Sequence, residues 1–83
     1  MSDNARRPIP PATVARLPAY RRALMDAADA GVRTVASGAL ADAVGVHPDQ
    51  VRKDLSHLAT RGTRGVGYDV RALITETSAI LGL

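Results

Sequence analysis

Apolar residues recur every three or four positions early in the chain. Val14, Leu17, Leu24 and Ala28 mark one face of a helix that Pro11 can open from its first turn and Gly31 halts. The pattern predicts a helix from about Pro11 to Ala30. Pro18 lies inside it and removes one backbone hydrogen bond, which predicts either a kink or a short helix followed by a longer one. The run Val32, Thr34, Val35 and Ala36 is β-prone. Ser37 then stands at the N-cap of a second helix, Gly38 to Val44, which Gly45 ends. Leu40 and Val44, four residues apart, give it the single apolar face of a packing helix.

A third helix is expected from about Pro48 to Ala59. His47 is its cap, Pro48 suits the first helical position, Asp49 complements the positive helix end and Gln50 takes the N3 place of a capping box. Val51, Leu55 and Leu58 form a narrow apolar stripe. Opposite it, Arg52, Ser56 and Thr60 lie along one flank and Lys53 and His57 along the other, while Asp54 projects away from this polar cluster. From Arg61 to Asp69 the chain places Gly62, Gly65 and Gly67 within six residues, the mark of a flexible basic hairpin followed by a brief strand. Val70, Leu73, Ile74, Thr77, Ile80 and Leu81 then resume helical spacing, predicting a last helix from about Val70 to Leu81 before Gly82.

Composition narrows the reading. Eighty-three residues suit one small domain, and with no Phe, no Trp and two Tyr the core is expected to be thin and built from Val, Leu, Ile and Ala. Residues 1–9 lack periodicity and read as a disordered arm made basic by Arg6 and Arg7, leaving 10–83 as the folded domain. The net charge of +3, from ten arginines and one lysine against eight acids, permits a polyanionic partner without requiring one. The absence of cysteine fits a reducing compartment, and neither a signal peptide nor a membrane-length apolar run is present, so a soluble cytoplasmic protein is expected.

The same inventory argues against an enzyme. No nucleophile is paired with a base, there is no Walker loop, and His47 and His57 without any cysteine cannot complete a tetrahedral zinc site. Gly65-Val66-Gly67 lacks the third glycine of a dinucleotide loop, and the 16 residues after it are too few for a βαβ unit of about 30.

Helix, short strand, helix, tight turn, polar-faced helix and Gly/Arg hairpin is the element order of a winged helix-turn-helix, mostly α with a small β-hairpin. In that architecture the third helix enters the DNA major groove and the hairpin reaches the flanking backbone. Arg52 and Lys53 can neutralise phosphates or donate to guanine, and Ser56 and His57 are short enough to permit close approach. With Thr60, Arg61, Arg64 and Gly65 they make up the candidate contact set. An alternative of another class is a winged helix that serves as a protein-interaction module, pairing with a full-length repressor or a separate regulatory subunit.

The strings PPATVARLPAYRRAL, VRKDLS, GTRGVGYDV and the ending ILGL resemble the N-terminal domain of the Rex family of redox-sensing transcriptional repressors, over about Ile9 to Leu83. The resemblance implies a winged helix that binds a palindromic operator, as a homodimer on DNA, with Arg52, Lys53 and Ser56 on the reading helix and Arg64 and Gly65 on the wing. It places Tyr68 and Asp69 at the hairpin exit, in packing roles, and Arg16 on a helix that faces the family's cofactor domain. That Rossmann domain, which binds NAD(H), would begin where Leu83 stands, so no cofactor is expected on these residues. One departure stands out. Where the family carries an aromatic pair and a Gly-rich turn similar to YFGEFG, this chain has His57-Leu58-Ala59-Thr60-Arg61-Gly62.

Overall fold

The computed structural model describes residues 8–83; the basic arm assigned to positions 1–9 therefore lies outside the described residues as far as Arg7. Pro8 and Ile9 follow without regular structure, and Ile9 packs half-buried against the core. Helix α1 runs Pro11–Asp29 as one element, with Pro10 as its N-cap and Pro11 at its first position. Pro18 sits within it on the exposed side, where water can serve the carbonyl left without an amide partner. Of the two outcomes left open for this proline, the continuous helix is the one observed.

Strand β1 is Thr34–Val35, followed by α2 at Ser37–Val44 and α3 at Pro48–Leu55. Strand β2, Tyr68–Asp69, pairs antiparallel with β1 in the register Thr34 to Asp69 and Val35 to Tyr68, and leads into α4 at Val70–Leu81. The α2 N-cap is Ala36, in extended backbone conformation, and Ser37 is already helical with no capping hydrogen bond. The serine cap expected there does not form because Ser37 lies one position inside the helix, and its hydroxyl accepts from Arg52 instead. Gly45 ends α2 in the left-handed region at φ 86°, as its position predicted. Asp69 caps α4 by accepting from the Ala72 amide at 2.9 Å.

Helix α3 is shorter than its periodicity suggested. After Leu55 the amides of His57 and Leu58 turn back three residues, to the Asp54 and Leu55 carbonyls at 3.2 and 3.0 Å, and Ser56 Oγ donates to the Lys53 carbonyl at 2.6 Å. Leu58 still reaches the core, but from a turn. Glu76 of α4 then catches the chain: its carboxylate accepts from the Ala59 and Thr60 amides at 2.5 and 2.9 Å and from Thr60 Oγ1 at 2.8 Å. Three donors satisfied by one distant carboxylate outweigh the further turn of helix that local pattern favours.

The core comprises Leu17, Tyr20 and Leu24 from α1, Leu40 and Ala41 from α2, Val51 and Leu55 from α3, Leu58, and Val70 and Leu73 from α4. An all-aliphatic core was expected; instead Tyr20 is its largest fully buried side chain. What admits it is Asp54, also fully buried, whose Oδ2 accepts from the Tyr20 hydroxyl at 2.5 Å. The same carboxylate accepts from Thr13 Oγ1 at 2.8 Å, from Arg16 Nε and Nη2 at 2.6 and 2.9 Å, and from Gln50 Nε2 at 2.9 Å. Gln50 is thus turned toward Asp54 and does not close a capping box. Arg16, which the family resemblance placed toward another domain, is committed to this pair with about 30% of its side chain exposed. Among the described residues no buried side-chain nitrogen or oxygen lacks a partner.

Burial alone would push the Asp54 carboxyl upward, but the donors from Arg16, Tyr20, Thr13 and Gln50 outweigh it and hold the group at about 2. The unfolded chain takes up this proton near the ordinary value of 3.8, so the stabilisation is complete above about pH 4 and is lost as pH falls from 3.8 toward 2. The loss is expected to be about 2 kcal/mol, read by urea denaturation across that range. Asp54→Asn should remove this dependence and cost about 3 kcal/mol at neutral pH, because it removes the charge that pairs with Arg16 and turns one of the two acceptor oxygens into an NH2 group facing donors. At the wing, Gly67 has φ 104°, and a Cβ there would stand 2.5 Å from the Val35 carbonyl oxygen. Gly67→Ala should therefore destabilise the domain by about 2 kcal/mol or more, measurable as a lowered Tm.

Candidate nucleic-acid interface

The turn between α2 and α3 sets the direction of the third helix. Gly45 supplies the left-handed residue, and the His47 imidazole then accepts from the Asp49 amide through Nδ1 at 3.1 Å, satisfying one of the free amides at the start of α3. Val51, Asp54 and Leu55 face inward, which leaves Asp49, Arg52, Lys53 and Ser56 exposed on one outer face. Arg52 and Lys53 lie in the last turn, where cations interact favourably with the negative helix end.

Beside this face stands the wing. Thr63 and Gly67 exchange backbone hydrogen bonds at 2.9 and 2.8 Å, closing a hairpin whose tip is Arg64-Gly65-Val66, with Gly65 left-handed at φ 81°. An open groove of about 580 Å³ runs between Ala36, Ser37 and Arg52 on one side and the segment from Gly62 to Tyr68 on the other. Three candidate contact residues, Arg52 and, 12 and 13 positions further along, Arg64 and Gly65, thus meet on one concavity.

The remaining candidates divide. Lys53 and Ser56 share the outer face of α3 with Arg52, and because the Ser56 hydroxyl donates to the Lys53 carbonyl, its oxygen is offered outward as an acceptor. His57 and Arg61 are exposed just beyond the helix, Arg61 Nη1 donating to the Ser56 carbonyl at 3.3 Å. Thr60 does not lie on an α3 flank. The helix stops five residues before it, and its amide and hydroxyl are both held by Glu76. Burial opposes ionisation of Glu76, yet the Ala59 and Thr60 donors, with the Arg61 charge, lower its pKa overall. Tyr68 packs half-buried against the core and Asp69 caps α4, in keeping with the structural roles expected at the hairpin exit.

Two residues of this surface escaped the sequence reading. Arg52 Nη1 donates to Ser37 Oγ at 3.0 Å and its Nη2 to Asp49 Oδ1. The Asp49 contact was visible in principle as an acid–base pair three positions apart on a helix; the Ser37 contact, 15 residues away, carries no local signal. Among the described residues no cluster of three or more His, Cys, Asp or Glu side chains gathers, and no helix is long and apolar enough to cross a membrane.

Comparison with known proteins agrees with this geometry. Residues 8–56 match the family model described as "Putative DNA-binding protein N-terminus". The redox-sensing transcriptional repressor Rex of Streptomyces griseus is 54% identical over 77 residues, 93% of this chain and 30% of that protein; Rex of Desulforamulus reducens is 53% identical over 75 residues, 90% and 36% of the two. The chain therefore spans about a third of the length of the curated relatives it matches. Among solved structures, RSP in complex with β-NAD+ and operator DNA superposes with a TM-score of 0.82 at 34% identity, covering 93% of this chain and 36% of that one. RSP in complex with β-NADH superposes at 0.72, with 33% identity and coverage of 90% and 33%. The fold is the winged helix of these repressors. With the family model covering more than half of its residues, the chain belongs to the family of N-terminal DNA-binding domains found in the Rex redox-sensing repressors.

Proposed function

We propose that this chain binds double-stranded DNA sequence-specifically, as the operator-binding domain of a Rex-like redox-sensing repressor. The observation that carries this reading is the open groove shared by Arg52 of α3 and Arg64 of the wing, in a domain whose solved relative RSP is described in complex with operator DNA. In this reading α3 enters the major groove. Arg52 and Lys53 donate to base edges or phosphates, and Ser56 and His57 allow the helix close approach. Arg61, Arg64 and the Gly65 backbone take the flanking phosphates. Thr60 contributes by anchoring the loop between helix and wing, and Arg16 by anchoring α3.

A palindromic operator would be read by two copies, and a lone copy, with half the contacts, would bind weakly. Response to NAD(H), named for RSP in its complexes, would come from a nicotinamide-binding unit distinct from these operator-binding residues. A protein-interaction module would instead present an apolar face on α1 or α4. Met25 and Leu83 are exposed there, but among Arg21, Arg22, Asp26 and Asp29, so the patch is small and interrupted by charge.

Arg52→Ala and Lys53→Ala should each weaken binding to a Rex-type palindromic duplex by about 1–3 kcal/mol while leaving a scrambled duplex less affected, as measured by fluorescence anisotropy at matched salt. Unchanged affinity in both variants would remove α3 from the interface. Arg64→Ala should weaken both duplexes alike and reduce the slope of log affinity against log salt by about one, the signature of a lost phosphate contact.

A further inference from the structure

Arg52 does not extend freely from α3. It is held at two points, by Ser37 Oγ from α2 and by Asp49 from the first turn of its own helix. A guanidinium has five N–H donors, so after these two contacts three remain for a ligand. The groove wall is formed by the same Ser37 and Arg52, facing the wing. Among the described residues neither side chain makes another hydrogen bond, although the Asp49 carboxylate also sits at the positive start of α3, 3.8 Å from the His47 imidazole. Ser37 does not cap α2, and the cap of α3 is supplied by His47 rather than Asp49.

Two consequences follow for a polyanion that approaches this face. A side chain already restrained gives up less rotamer freedom on contact than a free arginine would, and it offers its fork in one orientation. Meanwhile the Asp49 carboxylate, about 73% exposed, opposes any phosphate nearby without regard to base sequence, and it occupies the Arg52 charge that would otherwise seek one.

We propose that Ser37 and Asp49 are positioning residues for Arg52: they aim its guanidinium at a base edge and suppress its use as a general phosphate contact, so that they set base discrimination more than affinity. This rests on the DNA-binding reading above. The pair works in one direction only. It lowers binding to arbitrary duplex, and it sharpens the difference between a site with the correct base and one without it.

The test compares the 83-residue chain with Ser37→Ala, Asp49→Asn, Asp49→Ala and Arg52→Ala. The wild-type chain first enriches a duplex from a random pool, and each protein is then titrated against that duplex and a scrambled one at matched salt. The ratio of the two affinities should fall about three- to tenfold in Ser37→Ala and Asp49→Ala. Asp49→Ala should also bind the scrambled duplex more tightly, with a salt slope steeper by about one as Arg52 is released to phosphate. Pools enriched by Ser37→Ala and Asp49→Ala should blur the base preference at the position that Arg52→Ala erases. Asp49→Asn, which keeps an acceptor for Arg52, should retain more of the preference than Asp49→Ala. An unchanged ratio and pool profile in Ser37→Ala and Asp49→Ala, with melting curves that match the wild type, would overturn the proposal. So would losses that disappear once all proteins are compared at the same fraction folded. A wild-type chain that enriches no sequence would overturn the DNA-binding reading and this proposal with it; failure of the variants alone would touch only the positioning role.

Discussion

One ionised carboxylate, withdrawn completely from water, holds the first and third helices together. Asp54 projects from the inner side of α3 into a set of donors that includes Thr13, Arg16 and Tyr20 of α1. Such a group is tolerated only when nearly every lone pair is occupied and a counter-charge stands close, and both conditions are met here. A purely apolar contact between two helices permits sliding and rotation at small cost. An anchor of four bonds from α1, one cation among their donors and a fifth bond from Gln50 within α3, does not, and it locates α3 about its own axis. Because Arg52 and Lys53 flank Asp54 closely in sequence but emerge on the other side, the buried anchor and the exposed cationic face are two faces of one short helix.

The interface is assembled by restraint from behind as well as by exposure in front. Glu76 ties the loop after α3 to α4, the β1–β2 pairing ties the wing's return to the α1–α2 connection, and Ser37 steadies Arg52 from α2. Every element of the domain therefore touches the groove or holds something that does. That economy suits a chain with no Phe and no Trp, in which polar anchors fix the geometry that larger aromatic side chains would otherwise supply.

What could be read from the sequence was local. Helices α1, α2 and α4 were delimited to within a residue or two by apolar periodicity and by Gly31, Gly45 and Gly82, because the forces that start and stop them act over one or two turns. The exposed Arg52–Lys53 face was legible for the same reason. The misreadings share a cause: a residue whose partner lies far along the chain. Asp54 was placed away from the polar cluster without a partner, because the three α1 residues that meet it lie 34 to 41 positions away. Tyr20 was left out of the expected core, which composition assigned to Val, Leu, Ile and Ala; the acceptor that admits its hydroxyl lies 34 positions away. The α3 terminus was misplaced because Glu76 is 16 or more residues beyond it, and Ser37, expected to cap α2, lies one position inside that helix and accepts from Arg52 of another.

The grip of Glu76 carries a consequence for how this region can vary. Two of its three bonds go to peptide nitrogens, groups that every residue except proline presents identically. The junction that spans His57 to Gly62 is therefore secured largely through features that mutation does not erase. The exposed side chains of His57, Ala59 and Arg61 can diverge without loosening it, whereas Leu58 is buried in the core, Thr60 Oγ1 is held by Glu76 and Gly62 lies against the Tyr68 ring, so the hairpin they lead to keeps its berth.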